Sequence, residues 1–86
     1  MERKRLHGKI SSGMFPNERI VVVDDYQGRK FSLMIPDYAV EPSNESEGQI
    51  EVRLVETKND LALIQLPGEV FGTTRTITVY NEQLRT

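Results

Sequence analysis

The chain has 86 residues, a net charge of −2 and no cysteine. A chain this short makes one domain and buries only a little over ~60% of its unfolded surface, so its core is thin and leaves little room for a deep catalytic cleft. The missing cysteines exclude a disulfide framework and a thiolate zinc site, no apolar run reaches bilayer-spanning length, and a sequence pI of about 5.4 lies far below that of committed nucleic-acid domains.

Residues 1–5 carry Arg3, Lys4 and Arg5 with no hydrophobic segment behind them. They read as a flexible basic arm and not as a secretory signal. Residues 6–86 read as a single β-barrel domain, and a cytoplasmic location is the default. Charge is uneven: residues 1–30 hold seven Lys/Arg against four Asp/Glu, and residues 31–60 hold two against seven. The start of the chain is therefore basic and its middle acidic.

Residues 6–10 alternate, with Leu6 and Ile10 on one face and His7 and Lys9 on the other. This is the first predicted strand, with Gly8 where the chain bends or another backbone comes close. Residues 11–17 form a loop dense in turn formers. Its two large apolar residues, Met14 and Phe15, are expected to plug one end of a barrel.

Residues 19–35 predict a β-hairpin. Asp25 opens a type I turn and Gly28 supplies positive φ, as a short hairpin closed by a glycine bulge requires. Pairing Asp25 with Arg29 sets Val23 opposite Phe31 and Val21 opposite Leu33, an apolar face that Ile35 continues. The other face receives Asp24 opposite Lys30, Val22 opposite Ser32 and Ile20 opposite Met34. Adjacent strand residues point to opposite faces, so Asp24 and Asp25 do not share a proton or a metal.

Pro36 ends the third strand. Residues 37–40 suit a single helical turn or an extended lead into Pro42, and residues 42–48 are polar, acidic and expected to be mobile. The Asn44-Glu45-Ser46 sequon there is read as a chance match. Residues 49–57 predict a strand with Ile50, Val52 and Leu54 on one face. Residues 61–66 are too short for a helix before Pro67-Gly68 and read as its partner strand. A three-residue loop, Lys58-Asn59-Asp60, pairs Leu54 with Ile64 and keeps the aliphatics together, with Asn59 or Asp60 left-handed. Residues 67–74 read as a loop folding Val70 and Phe71 onto the core. The last strand, 75–80, points Ile77 and Val79 inward, and Asn81 caps a 3₁₀ turn that brings Leu84 under the core.

Five or six short strands without a true helix define an all-β fold, a small antiparallel barrel. An SH3-like barrel fits best. An OB-like barrel is the alternative, disfavoured because its usual helix between strands three and four has no candidate segment.

No catalytic residue, metal ligand set or cofactor is assigned. His7 is the only histidine and stands without convergent ligands. An enzyme would need a cleft bringing Asp37, Tyr38 and His7 together. The leading expectation is a non-catalytic module that binds protein, or itself as a homodimer, through an outer apolar patch of Ile20, Val22, Met34, Val55 and Leu63. The alternative is nucleic-acid binding through Arg3, Lys4, Arg5, Lys9, Arg29 and Lys30. No membrane partner is expected.

Overall fold

A computed structural model describes residues 2–67, 69–71 and 76–86. The described chain is all-β, with strands β1 (Glu2–Ser12), β2 (Glu18–Asp24), β3 (Lys30–Pro36), β4 (Val40–Pro42), β5 (Glu47–Lys58), β6 (Leu61–Gln65), β7 (Glu69–Phe71), β8 (Thr76–Tyr80) and β9 (Leu84–Arg85). Pairing is antiparallel throughout in the order β7-β3-β2-β1-β5-β6-β8, with β4 added to β5 and β9 to β1. The sheet curls into a half-barrel. Its far strand meets the β2–β3 turn where the Tyr26 N–H donates to the Thr78 carbonyl at 2.9 Å.

The inner face follows the alternation of the sequence. Val21, Val23, Leu33, Ile35, Ile50, Val52, Ile64, Ile77 and Val79 are buried, and Phe31 and Leu54 pack against them half-buried. Leu6, Val40, Ala62, Leu66 and Leu84 complete the buried set among the described residues. The central hairpin has the register derived from its turn, from Asp24↔Lys30 to Ile20↔Met34, and Gly28 has φ +80°. A Cβ on Gly8 would lie 2.6 Å from Val21 Cγ1 and 3.0 Å from the Val22 carbonyl oxygen, so this glycine is the close approach of β1 to β2.

Several expectations are corrected. The supposed arm is strand: Glu2 to Arg5 pair with β5 from Leu54 to Glu51, because the 12-residue β5 extends far enough to give them partners. Met14 and Phe15 plug nothing and are 83% and 57% exposed. Their loop closes on itself through the Gly13 N–H to the Glu18 carbonyl and the Glu18 N–H to the Phe15 carbonyl, which holds its tip away from the core. Residues 37–39 take the 3₁₀ alternative. Residues 42–48 are not one loop: β4 pairs with β5, and the intervening turn is tied by the Ser43 and Asn44 N–H groups donating to the Glu47 carbonyl.

Leu54 does pair with Ile64, but by another route. Lys58 pairs with Leu61 across a two-residue Asn59-Asp60 turn, and a bulge between Leu54 and Glu56 restores the core register. Asn59 has the positive φ, 56°. Residues 69–71 form a strand on β3 instead of loop; the side chains of Val70 and Phe71, with residues 68 and 72–75, lie outside the described residues. Asn81 does not cap its 3₁₀ turn by its side chain. Instead Gln83 Oε1 accepts the Tyr80 N–H at 2.7 Å, because the turn starts at Asn81 itself, one residue earlier than a capping Asn81 requires, and Tyr80 takes the cap position.

Candidate functional site

One end of the half-barrel gathers three turns. The 3₁₀ turn Asp37–Ala39 is held to the β1–β2 loop by the Asp37 N–H donating to the Asn17 carbonyl at 2.8 Å. Arg19 Nε adds a 2.6 Å ion pair to Asp37 Oδ1. The β4–β5 turn joins them because the Ile10 N–H donates to the Ser46 carbonyl at 2.8 Å. Asn44 Oδ1 braces this turn by accepting the Ser46 N–H at 2.9 Å. Between the turns lies a groove of about 870 Å³, lined by apolar Ile10, Val40 and Pro42 and by polar Arg19, Asp37, Ser43, Asn44 and Glu45. On the two neighbouring turns, Phe15 and Met14 stand exposed, and Tyr38 is 90% exposed.

A second groove, about 800 Å³, opens where β1 forks. Lys9 is the last β1 residue paired with β2 on this side, and Leu6 pairs with β9, so the partners part around His7 and Gly8. Lys9, Lys30, Arg85, Asp24 and Glu82 supply its charged lining, and His7 also lines it. His7 is exposed and lies 3.7 Å from Glu47. Asp37 and His7 thus line different grooves. Among the described residues no group of three His, Asp or Glu is placed to hold a metal ion, and no helix is long and apolar enough to cross a membrane.

The expected apolar patch is divided. Ile20 faces Met34 across β2–β3, with Val22 beside them, all half-buried. Val55 and Leu63 belong to β5–β6. Strand β1 pairs with both β2 and β5, so its outward row of Arg5, His7 and Lys9 separates the two groups.

The expected basic contacts are mostly engaged with carboxylates. Arg3 lies 3.8 Å from Glu51, Lys4 3.0 Å from Glu2, and Arg5 3.2 Å from Glu41. Arg29 and Lys30 pair with Asp25 and Asp24 at 2.9 and 3.0 Å. Lys9 alone of the six has no such pair among the described residues. Exposed pairs of this kind contribute about 0–1 kcal/mol each. Asp25 is the exception in burial, at 5% exposed. Burial pushes its pKa up, but the Arg29 N–H, the Arg29 guanidinium and the Gln27 N–H outweigh that and hold it below the ordinary carboxylate value.

Sequence reasoning missed Met14, Phe15 and Tyr38 as surface groups. The available signal was their setting: each lies among turn formers, Gly13 to Asn17 and Pro36-Asp37, where no alternation assigns an inner face. Comparison with known proteins brings no match, neither to a protein family nor to a curated protein nor to a solved structure.

Proposed function

We propose that this chain is a non-catalytic interaction module, an SH3-like small barrel of the cytoplasm that binds protein at the end formed by the β1–β2 loop, the 3₁₀ turn and the β4–β5 turn. One observation carries this reading: Met14, Phe15 and Tyr38, three of the five large exposed hydrophobic residues among the described residues, stand on two turns joined by the Asp37–Asn17 hydrogen bond. Single exposed apolar residues are ordinary. Several grouped beside a groove present the Met-and-aromatic surface in which protein interfaces are enriched. The hairpin-rich order ending in a 3₁₀ turn and short last strand supports the SH3-like assignment, and the absence of cysteine supports a reducing compartment. The test compares the native chain with a Phe15→Ser/Tyr38→Ser variant in partner capture and in sedimentation. Loss of capture or of self-association at unchanged melting temperature agrees with the proposal; identical behaviour of the two proteins contradicts it.

Nucleic-acid binding is the second reading, favoured by Lys9 and Lys30 sharing the fork groove with Arg85. Its mark is affinity for single-stranded RNA or DNA that falls steeply with salt. Absence of binding at low ionic strength removes it.

A further inference from the structure

We infer that the groove between the three turns takes an extended peptide carrying an aliphatic side chain and, close to it in sequence, a Lys or Arg. This rests on the protein-binding reading and specifies its partner. The aliphatic requirement comes from Ile10, Val40 and Pro42, which give the groove its apolar lining. The basic requirement comes from charge. Glu18, Asp37, Glu41, Glu45 and Glu47 all belong to the segments that meet at this end. Two cations there are committed, Arg19 to Asp37 at 2.6 Å and Arg5 to Glu41 at 3.2 Å, and Lys9 stands opposite Glu47 across β1 and β5.

Glu45 lines the groove and has no ion pair among the described residues. Glu18, beside the groove but outside its lining, keeps one buried carboxylate oxygen, Oε1, without a hydrogen-bond donor among the described residues. The negative charge is therefore under-compensated beside an apolar floor. An acidic peptide or a phosphate backbone meets repulsion there, and a cationic segment meets attraction. An extended chain suits the site because its alternate side chains fall on one side, roughly 6.5–7 Å apart. The aliphatic group can then rest on the floor while a basic group two positions away reaches Glu45. Exposed Phe15 and Tyr38 on the bordering turns extend the apolar surface beyond the groove, which favours a peptide over a small cation.

The experiment selects random dodecapeptides displayed on phage against the full chain, then measures the selected peptides by calorimetry and maps them by amide NMR shifts. Selected sequences are expected to couple Leu, Ile or Val with nearby Lys or Arg, and to shift the amides of Ile10, Val40 and Glu45. Glu45→Lys, on an exposed turn, is expected to weaken them about tenfold while leaving the rest of the spectrum intact. Acidic selected peptides, shifts confined to Ile20, Val22 and Met34, or affinity indifferent to Glu45→Lys overturn the inference and leave a protein-binding module standing. If no peptide is enriched the inference also fails, and the Phe15→Ser/Tyr38→Ser comparison then decides separately whether the broader reading survives.

Discussion

Asp25 and Arg29 grip each other at three points. The Asp25 N–H donates to the Arg29 carbonyl at 2.9 Å, Asp25 Oδ1 accepts the Arg29 N–H at 2.8 Å, and Asp25 Oδ2 accepts Arg29 Nε at 2.9 Å. Oδ1 also accepts the Gln27 N–H at 2.9 Å. One carboxylate thus satisfies the backbone donors of the turn that sets the register of β2 and β3. Asp25→Ala leaves two N–H groups without this acceptor and is expected to cost about 1–3 kcal/mol in urea unfolding. Arg29→Ala is expected to cost less, since its guanidinium is largely exposed and its pair is screened.

The same carboxylate sets a pH dependence. Its folded pKa lies below the ordinary value, which in the unfolded chain is about 3.9. As pH falls, the unfolded state takes up the proton first, so the contribution of Asp25 is present in full well above pH ~4 and is lost as pH drops through the folded value. Chemical unfolding followed from pH 7 downward is expected to show stability constant with respect to this group until about pH 5 and declining below it. The decline is expected to be shallower in Asp25→Asn. Equal slopes in the two proteins would show that other carboxylates govern acid unfolding.

Gly28 and Asn59 both have positive φ, +80° and 56°, and the two positions separate backbone strain from packing. Nothing lies within 4 Å of a Cβ built on Gly28, so Gly28→Ala is expected to cost about 1–2 kcal/mol from conformation alone, or roughly 4–8 °C in melting temperature per kcal/mol for a domain of this size. Asn59→Gly is expected to be neutral or slightly stabilising, and Asn59→Val to destabilise by a similar 1–2 kcal/mol. Thermal unfolding followed by circular dichroism checks all three.

The hairpin around Asp25 was legible because each step in it is local: a turn residue with a defined φ, then strict alternation on both strands. The inner face was legible for the same reason, down to Ile77 and Val79. What was not legible depends on partners distant in sequence. Whether Arg3 to Arg5 fray or form a strand is decided by the length of β5, and nothing in residues 1–5 reports that. The split of Ile20, Val22 and Met34 from Val55 and Leu63 follows from the double pairing of β1, a topological fact. Phe15 and Tyr38 escaped because an apolar residue in a turn has no periodicity to read, and the expectation of a plugged barrel end drew Phe15 inward.

Their exposure makes a sharp contrast in stability. Met14→Ser and Phe15→Ser are expected to stay within about ±0.5 kcal/mol of the native chain, as surface substitutions do. Leu33→Ala, at a fully buried position, is expected to cost about 2–5 kcal/mol. Equilibrium urea unfolding of the three variants measures this. A loss near the core value at Phe15 would mean that the loop tip packs onto the barrel in solution.

The bulge at Val55 yields the most discriminating test of the sheet. On one side of it Leu54 pairs with Ile64, and on the other Glu56 pairs with Leu63, Thr57 with Ala62 and Lys58 with Leu61. Removing Val55 therefore joins two stretches already in register, and it leaves both the Asn59-Asp60 turn and the inward set of Val52, Leu54, Ala62 and Ile64 where they are. Removing Glu51, in the stretch of β5 that pairs with β1, instead slips the ladder by one residue and turns an inner face outward. The Val55 deletion is expected to fold with dispersed amide signals at a cost of about 1 kcal/mol, and the Glu51 deletion to lose its cooperative thermal transition. If both deletions unfold alike, register is not what the bulge protects. Its role is then the extra local twist a bulge imparts, without which β5 cannot turn far enough to bring β8 against Tyr26.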